Sequence, residues 1–194
     1  MNLKSTSTAY QACSFVLISL LLMSCPSDNS ENVPEPDPEP ATNQLVWDGT
    51  LYDLSTGLYS DFGALNTGYD VQIVLTDATL ERIDDGFQAD ENGIGHLIGF
   101  DLSSSDAEEL ILGEYTISST PITGQSTFSA DWLVDQDGNR LVEDSEDLDV
   151  SATSGTITLS GSGTNLNITF DLQFGQKTLK GNFNRAFTYN DQRD

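Results

Sequence analysis

Leu166-Asn167-Ile168-Thr169-Phe170-Asp171-Leu172-Gln173-Phe174 sets five apolar residues at every second position with four polar ones between them. A repeat of two sends successive side chains to opposite faces of an extended chain, so this segment predicts a half-buried antiparallel strand. The theme continues through Leu179, Phe183, Phe187 and Tyr189, with Gly181 in register, where a bulge or bend is expected.

Upstream, the same alternation marks Tyr69, Val71, Ile73 and Leu75, then Leu97 to Leu102, Tyr115 and Ile117, Phe128 through Val134, and Ile157 with Leu159. Turn signals separate these runs at Asp85-Gly86, Asn92-Gly93, Asp137-Gly138-Asn139, Gly161-Ser162-Gly163 and Gly175-Gln176. One short helix is the most the sequence offers, at Ser105 to Leu110, where Ser105 and Glu108 make a capping-box pattern. Many short strands without a βαβ rhythm predict an all-β domain over residues 44–194. The expected form is an antiparallel β-sandwich, with the polar stretch 143–153 crossing between sheets; a closed β-barrel is the alternative.

All 16 glycines of the 194-residue chain follow Gln44, and five of its six prolines precede it. Those five lie in residues 26–43, alternating with acids from Pro34 to Pro40. Alternating proline and like charge favour an extended spacer, about 3.1 Å per residue and roughly 50 Å in all. Before it, Phe15 to Met23 forms an almost unbroken apolar run, too short to span a bilayer and of the length of a signal-peptide core.

The run ends in Leu22-Met23-Ser24-Cys25, which resembles a bacterial lipobox. The resemblance implies that residues 1–24 are a signal peptide and that Cys25 becomes the lipidated first residue of the mature chain, held in a membrane by several acyl chains. The acidic stretch Ser27-Asp28-Asn29-Ser30-Glu31 loosely resembles the export signal of Bacteroidetes lipoproteins. It implies an outer-membrane address facing the cell exterior, the periplasmic face being the alternative. Further strand motifs, Gly113-Glu114-Tyr115-Thr116-Ile117, Gly155-Thr156-Ile157-Thr158-Leu159, Ile168-Thr169-Phe170-Asp171-Leu172 and Lys180-Gly181-Asn182-Phe183, resemble a group of uncharacterised Bacteroidetes surface lipoproteins. That likeness implies an all-β extracytoplasmic domain and supplies no catalytic residues.

With 31 acidic residues against 7 basic, the net charge of −24 excludes a nucleic-acid binder that works by phosphate neutralisation. Membrane partnership rests on the lipid, since no basic patch is present for anionic headgroups. Two cysteines and one histidine leave no His/Cys zinc site and no Cys-His catalytic pair. No nucleophile elbow, phosphate loop or dinucleotide fingerprint occurs. His96 alternates with Ile98, Phe100 and Leu102, which predicts a packed or rim histidine. Of the aromatic platforms a glycan could stack on, Trp132 shares a core-facing register with Phe128, Ala130 and Val134, while Trp47 is undecided between core and surface.

Residues 135–146 carry the one metal motif. Asp135, Asp137, Asn139 and Glu146 fall on ligand positions of a twelve-residue calcium loop, with the Leu141 carbonyl and a water held by Glu143. Arg140 stands where that loop requires glycine. The competing reading is a plain hairpin that turns at Asp137-Gly138 and returns through Arg140-Leu141-Val142 without metal. The sequence thus predicts a non-enzymatic surface lipoprotein, a binding or structural module of unspecified protein or glycan partner. The alternative is a carbohydrate-active or glycan-binding protein that uses calcium.

Overall fold

The computed structural model describes residues 38–65, 68–83, 86–90, 92–139 and 147–193. The apolar leader, Cys25 and most of the Pro/Glu spacer therefore lie outside the described residues, as do Arg140, Leu141, Val142, Glu143 and Glu146. The described residues all belong to one compact unit, Pro36–Asp194.

The strands are β1 (Gln44–Trp47), β2 (Thr50–Asp53), β3 (Thr56–Leu65), β4 (Gly68–Thr76), β5 (Leu80–Ile83), β6 (Gly86–Ala89) and β7 (His96–Ser104). There follow β8 (Gly113–Ile117), β9 (Thr127–Val134), β10 (Leu148–Ser151), β11 (Ser154–Ser162), β12 (Asn165–Phe174), β13 (Lys177–Phe183) and β14 (Thr188–Asp191). The all-β class is as expected. Apart from the β5–β6 hairpin, the strands form one hydrogen-bonded path, β14-β3-β4-β7-β9-β8-β11-β12-β13-β1-β2, with β10 on the edge of β9 beside β8. The path curls strongly into a half-barrel, nearer the barrel alternative than two separate sheets. It is mixed rather than wholly antiparallel, because β14 runs parallel to β3 and β8 parallel to β9.

Alternation fills the concave side. Leu166, Ile168, Phe170, Leu172 and Phe174 of β12 are all buried, as their spacing predicts. They face the β4–β7–β9 wall, where Phe100 meets Phe170 at 5.3 Å between ring centres. The pairing β13·β1 and β13·β12 runs unbroken through Gly181, so no bulge forms there. A β-carbon at that position would lie 2.3 Å from the Phe170 ring and 2.8 Å from Leu45. Glycine is required by the ring that crosses it.

Three local expectations change. Ser105 to Leu110 forms no helix: Asp106 Oδ1 accepts the Glu108 N–H, Ser104 Oγ accepts the Ile111 N–H, and the Asp106 carbonyl accepts from Tyr69 on β4. Those bonds occupy groups that a helical ladder would need. The returning segment expected at Arg140 to Val142 lies outside the described residues; Asp131 to Val134 pair with β10 on one side and β7 on the other. The 143–153 stretch thus contains a strand of its own. Finally, Phe187 and Tyr189 do not extend β13; the chain leaves it after Phe183 and delivers β14 to the far end of the path.

The chain enters the domain pinned. Asn182 Nδ2 donates to the Pro40 and Ala41 carbonyls, its Oδ1 accepts the Asn43 N–H, and Asn43 Oδ1 accepts the Asn184 N–H.

Candidate functional site

The β9–β10 connection gathers carboxylates, though not the predicted set. One oxygen from each of Asp135, Asp137 and Asp147 lies within 4.8 Å of the others. Asp147 was missed because the motif register ended at Glu146, one residue short. Each carboxylate also takes a loop N–H: Gly138 donates to Asp135 at 2.7 Å, Asn139 to Asp137 at 2.9 Å, and Gln136 to Asp147 at 2.7 Å. Asn139 additionally donates its side-chain amide to Asp137 at 3.2 Å. Oxygen ligands of this kind suit a hard cation, which takes six to eight of them. The same bonds also cap a loop without metal.

At the β1/β7/β9 end of the core, Trp132 is fully buried and Trp47 nearly so, which settles both as packing residues rather than exposed platforms. Trp47, Tyr52 and His96 surround Trp132 at ring-centre distances of 6.1, 5.5 and 5.6 Å. His96 is buried as expected, with Nε2 2.8 Å from the Asp53 carbonyl and Nδ1 3.6 Å from Asp77 Oδ2. Both ring nitrogens thus face acceptors of the protein, which fixes the imidazole as a link between strands.

A second buried polar centre escaped the sequence reading. Asp61, on β3, is 5% exposed. Its Oδ2 accepts the hydroxyls of Tyr69 on β4 and Tyr189 on β14, each at 2.9 Å, and its Oδ1 accepts the Gly63 N–H at 3.0 Å. Tyr59 stacks on Tyr189. Burial, and then the Asp61 charge, pushes the Tyr59 hydroxyl above its ordinary range. Desolvation, followed by the bond to Asp61, pushes Tyr189 up to about 12. An Asp followed two residues later by Gly was the available signal, since that carboxylate caps that N–H.

Here the register slips: Asp61 pairs with Val71 but Gly63 with Asp70, leaving Phe62 as the extra residue of a β-bulge. Gly63 meets the bulge with φ +73°, a left-handed value that glycine adopts without strain. The bulge coincides with Phe62 being 40% exposed.

Phe62 borders a groove of about 320 Å³ on the convex side of β3, β4, β7 and β9. Asp70, Asp101, Ser103, Thr127 and Ser129 line it, on the register opposite to the core residues Val71, Leu102 and Phe128. Leu65 and Pro121 complete its apolar rim. Asp101 Oδ1 accepts from Gln72 at 3.0 Å. Asp70 Oδ1, by contrast, is buried and has no hydrogen-bond partner among the described residues. Among the described residues the lining holds two carboxylates and no basic side chain. Sequence reasoning missed this groove because its lining is drawn from β3, β4, β7, β9 and the loop at Pro121, which alternation within single strands does not bring together.

Comparison with protein-family models, with curated proteins and with solved structures returns no match.

Proposed function

We propose that the chain is a lipoprotein anchored through Cys25 in the outer membrane, facing the cell exterior, and that its β domain is a binding module whose site is the convex groove. The leader, the Leu22-Met23-Ser24-Cys25 lipobox and the Pro/Glu spacer support the anchoring. The resemblance of the strand motifs to Bacteroidetes surface lipoproteins is in keeping with it. The observation that carries the binding reading is Asp70. A buried carboxylate oxygen without a donor costs stability, and folded chains keep such groups chiefly where they serve a function.

We take the role to be binding rather than catalysis, since the one imidazole is engaged with Asp53 and Asp77. The hydroxyls of Ser103, Thr127 and Ser129 favour a second reading, a glycan-binding groove, which a glycan array tests. Replacing Cys25 by Ser is expected to abolish incorporation of labelled palmitate; unchanged labelling would overturn the anchoring. Protease shaving of intact cells separates the exterior face, where the domain is cut, from the periplasmic face, where it is protected.

A further inference from the structure

We infer that the convex groove accepts the guanidinium of an arginine presented by a basic peptide segment of a partner protein. This rests on the groove being a binding site, and it names the chemistry of the ligand. The charge within the groove is of one sign: Asp70 and Asp101 stand on adjacent strands, and no lysine, arginine or histidine lines the groove among the described residues. The chain as a whole carries −24, which adds a long-range attraction for cations. Among the described residues Asp70 Oδ1 has no donor, and a guanidinium offers five in a planar fork that matches a carboxylate.

The apolar rim supplies the other half of the fit. An arginine carries three methylenes beneath its charged head, and its planar head stacks on aromatic rings. Phe62, Leu65 and Pro121 offer surface for both. Phe62 and Leu65 remain 40% and 53% exposed, so this surface is open to a ligand. A neutral sugar could use the hydroxyls and the ring, but it would leave both carboxylate charges uncompensated. Arginine is favoured over lysine because an ammonium is a compact point charge without a stacking face.

The test uses the full chain, isotope-labelled and titrated with three probes while backbone amide resonances are followed. They are a blocked Gly-Arg-Gly peptide, its citrulline counterpart, and maltohexaose. The arginine peptide is expected to shift the amides of Asp70, Asp101, Ser103 and Ser129 saturably. The citrulline peptide, equal in shape but uncharged, should bind at least tenfold more weakly, and added salt should weaken the arginine peptide. Asp70→Asn should lower its affinity at least tenfold without lowering the melting temperature. Phe62→Ala, at an exposed position, should lower it several-fold. Equal binding of the two peptides, or undiminished binding to Asp70→Asn, would overturn the inference. If maltohexaose shifts the groove amides and the arginine peptide does not, the cationic ligand is wrong and the binding groove stands. If none of the three shifts them, both fall.

Discussion

Asp61 ties three strands together through one side chain, and two of its donors, Tyr69 and Tyr189, are phenols that can lose their protons. Tyr189 has a folded value near 12 against about 10 in the unfolded chain. Its contribution to stability is therefore complete below pH 10 and lost as the pH rises through 12. Urea denaturation between pH 8 and 12 is expected to show stability falling over that window. Tyr189→Phe should cost about 1.5–3 kcal/mol at neutral pH, the worth of a hydrogen bond to a charged acceptor, and should flatten the alkaline decline. A decline as steep as that of the unmodified chain would assign the titration to other groups. The sequence did not announce this centre. Alternation shows which residues turn inward, but not that an acid at an inward position has tyrosines 8 and 128 residues away to receive it.

Among the elements, β12 was legible because its apolar and polar residues alternate without interruption, and the core of the half-barrel follows from it. Gly181 was legible as a special position but for the wrong reason, since its cause is the Phe170 ring on the neighbouring strand. Gly181→Ala is accordingly expected to lower stability by about 1–3 kcal/mol through overpacking. Combining it with Phe170→Leu, which removes the clashing ring edge, should recover part of that loss; a purely additive double variant would refute the packing argument. The β9–β10 connection was the least legible, because short-range turn chemistry at Asp137-Gly138 resembled a tight hairpin while the true partner strand starts at Leu148. For this loop, calcium and magnesium are expected to raise the melting temperature equally, by screening its acids, with Asp137→Ala responding alike. A calcium-selective rise that disappears in Asp137→Ala would instead mark a specific site.

At the scale of the whole molecule, 31 acids against 7 bases impose self-repulsion that ionic screening relieves. Raising sodium chloride from 20 to about 500 mM should therefore raise the melting temperature, opposite to the weakening it brings to the arginine peptide. A fall in melting temperature with salt would show that attractive ion pairs, such as Lys180 with Asp171, outweigh the repulsion. The sheet path also fixes an order in time. Leu45 lies opposite Gly181, and Leu58 lies opposite Thr188, so the first strands find one of their two neighbours only among the last. While a ribosome is still making the chain, β1 and β3 each lack one flank until residues 179–191 have emerged. Long-range pairings of this kind close slowly, and a domain that cannot complete itself early remains threadable. Were the chain exported through a membrane channel, as proposed above, a topology whose first strands gain their second flank only from the last would keep it unfolded for the passage.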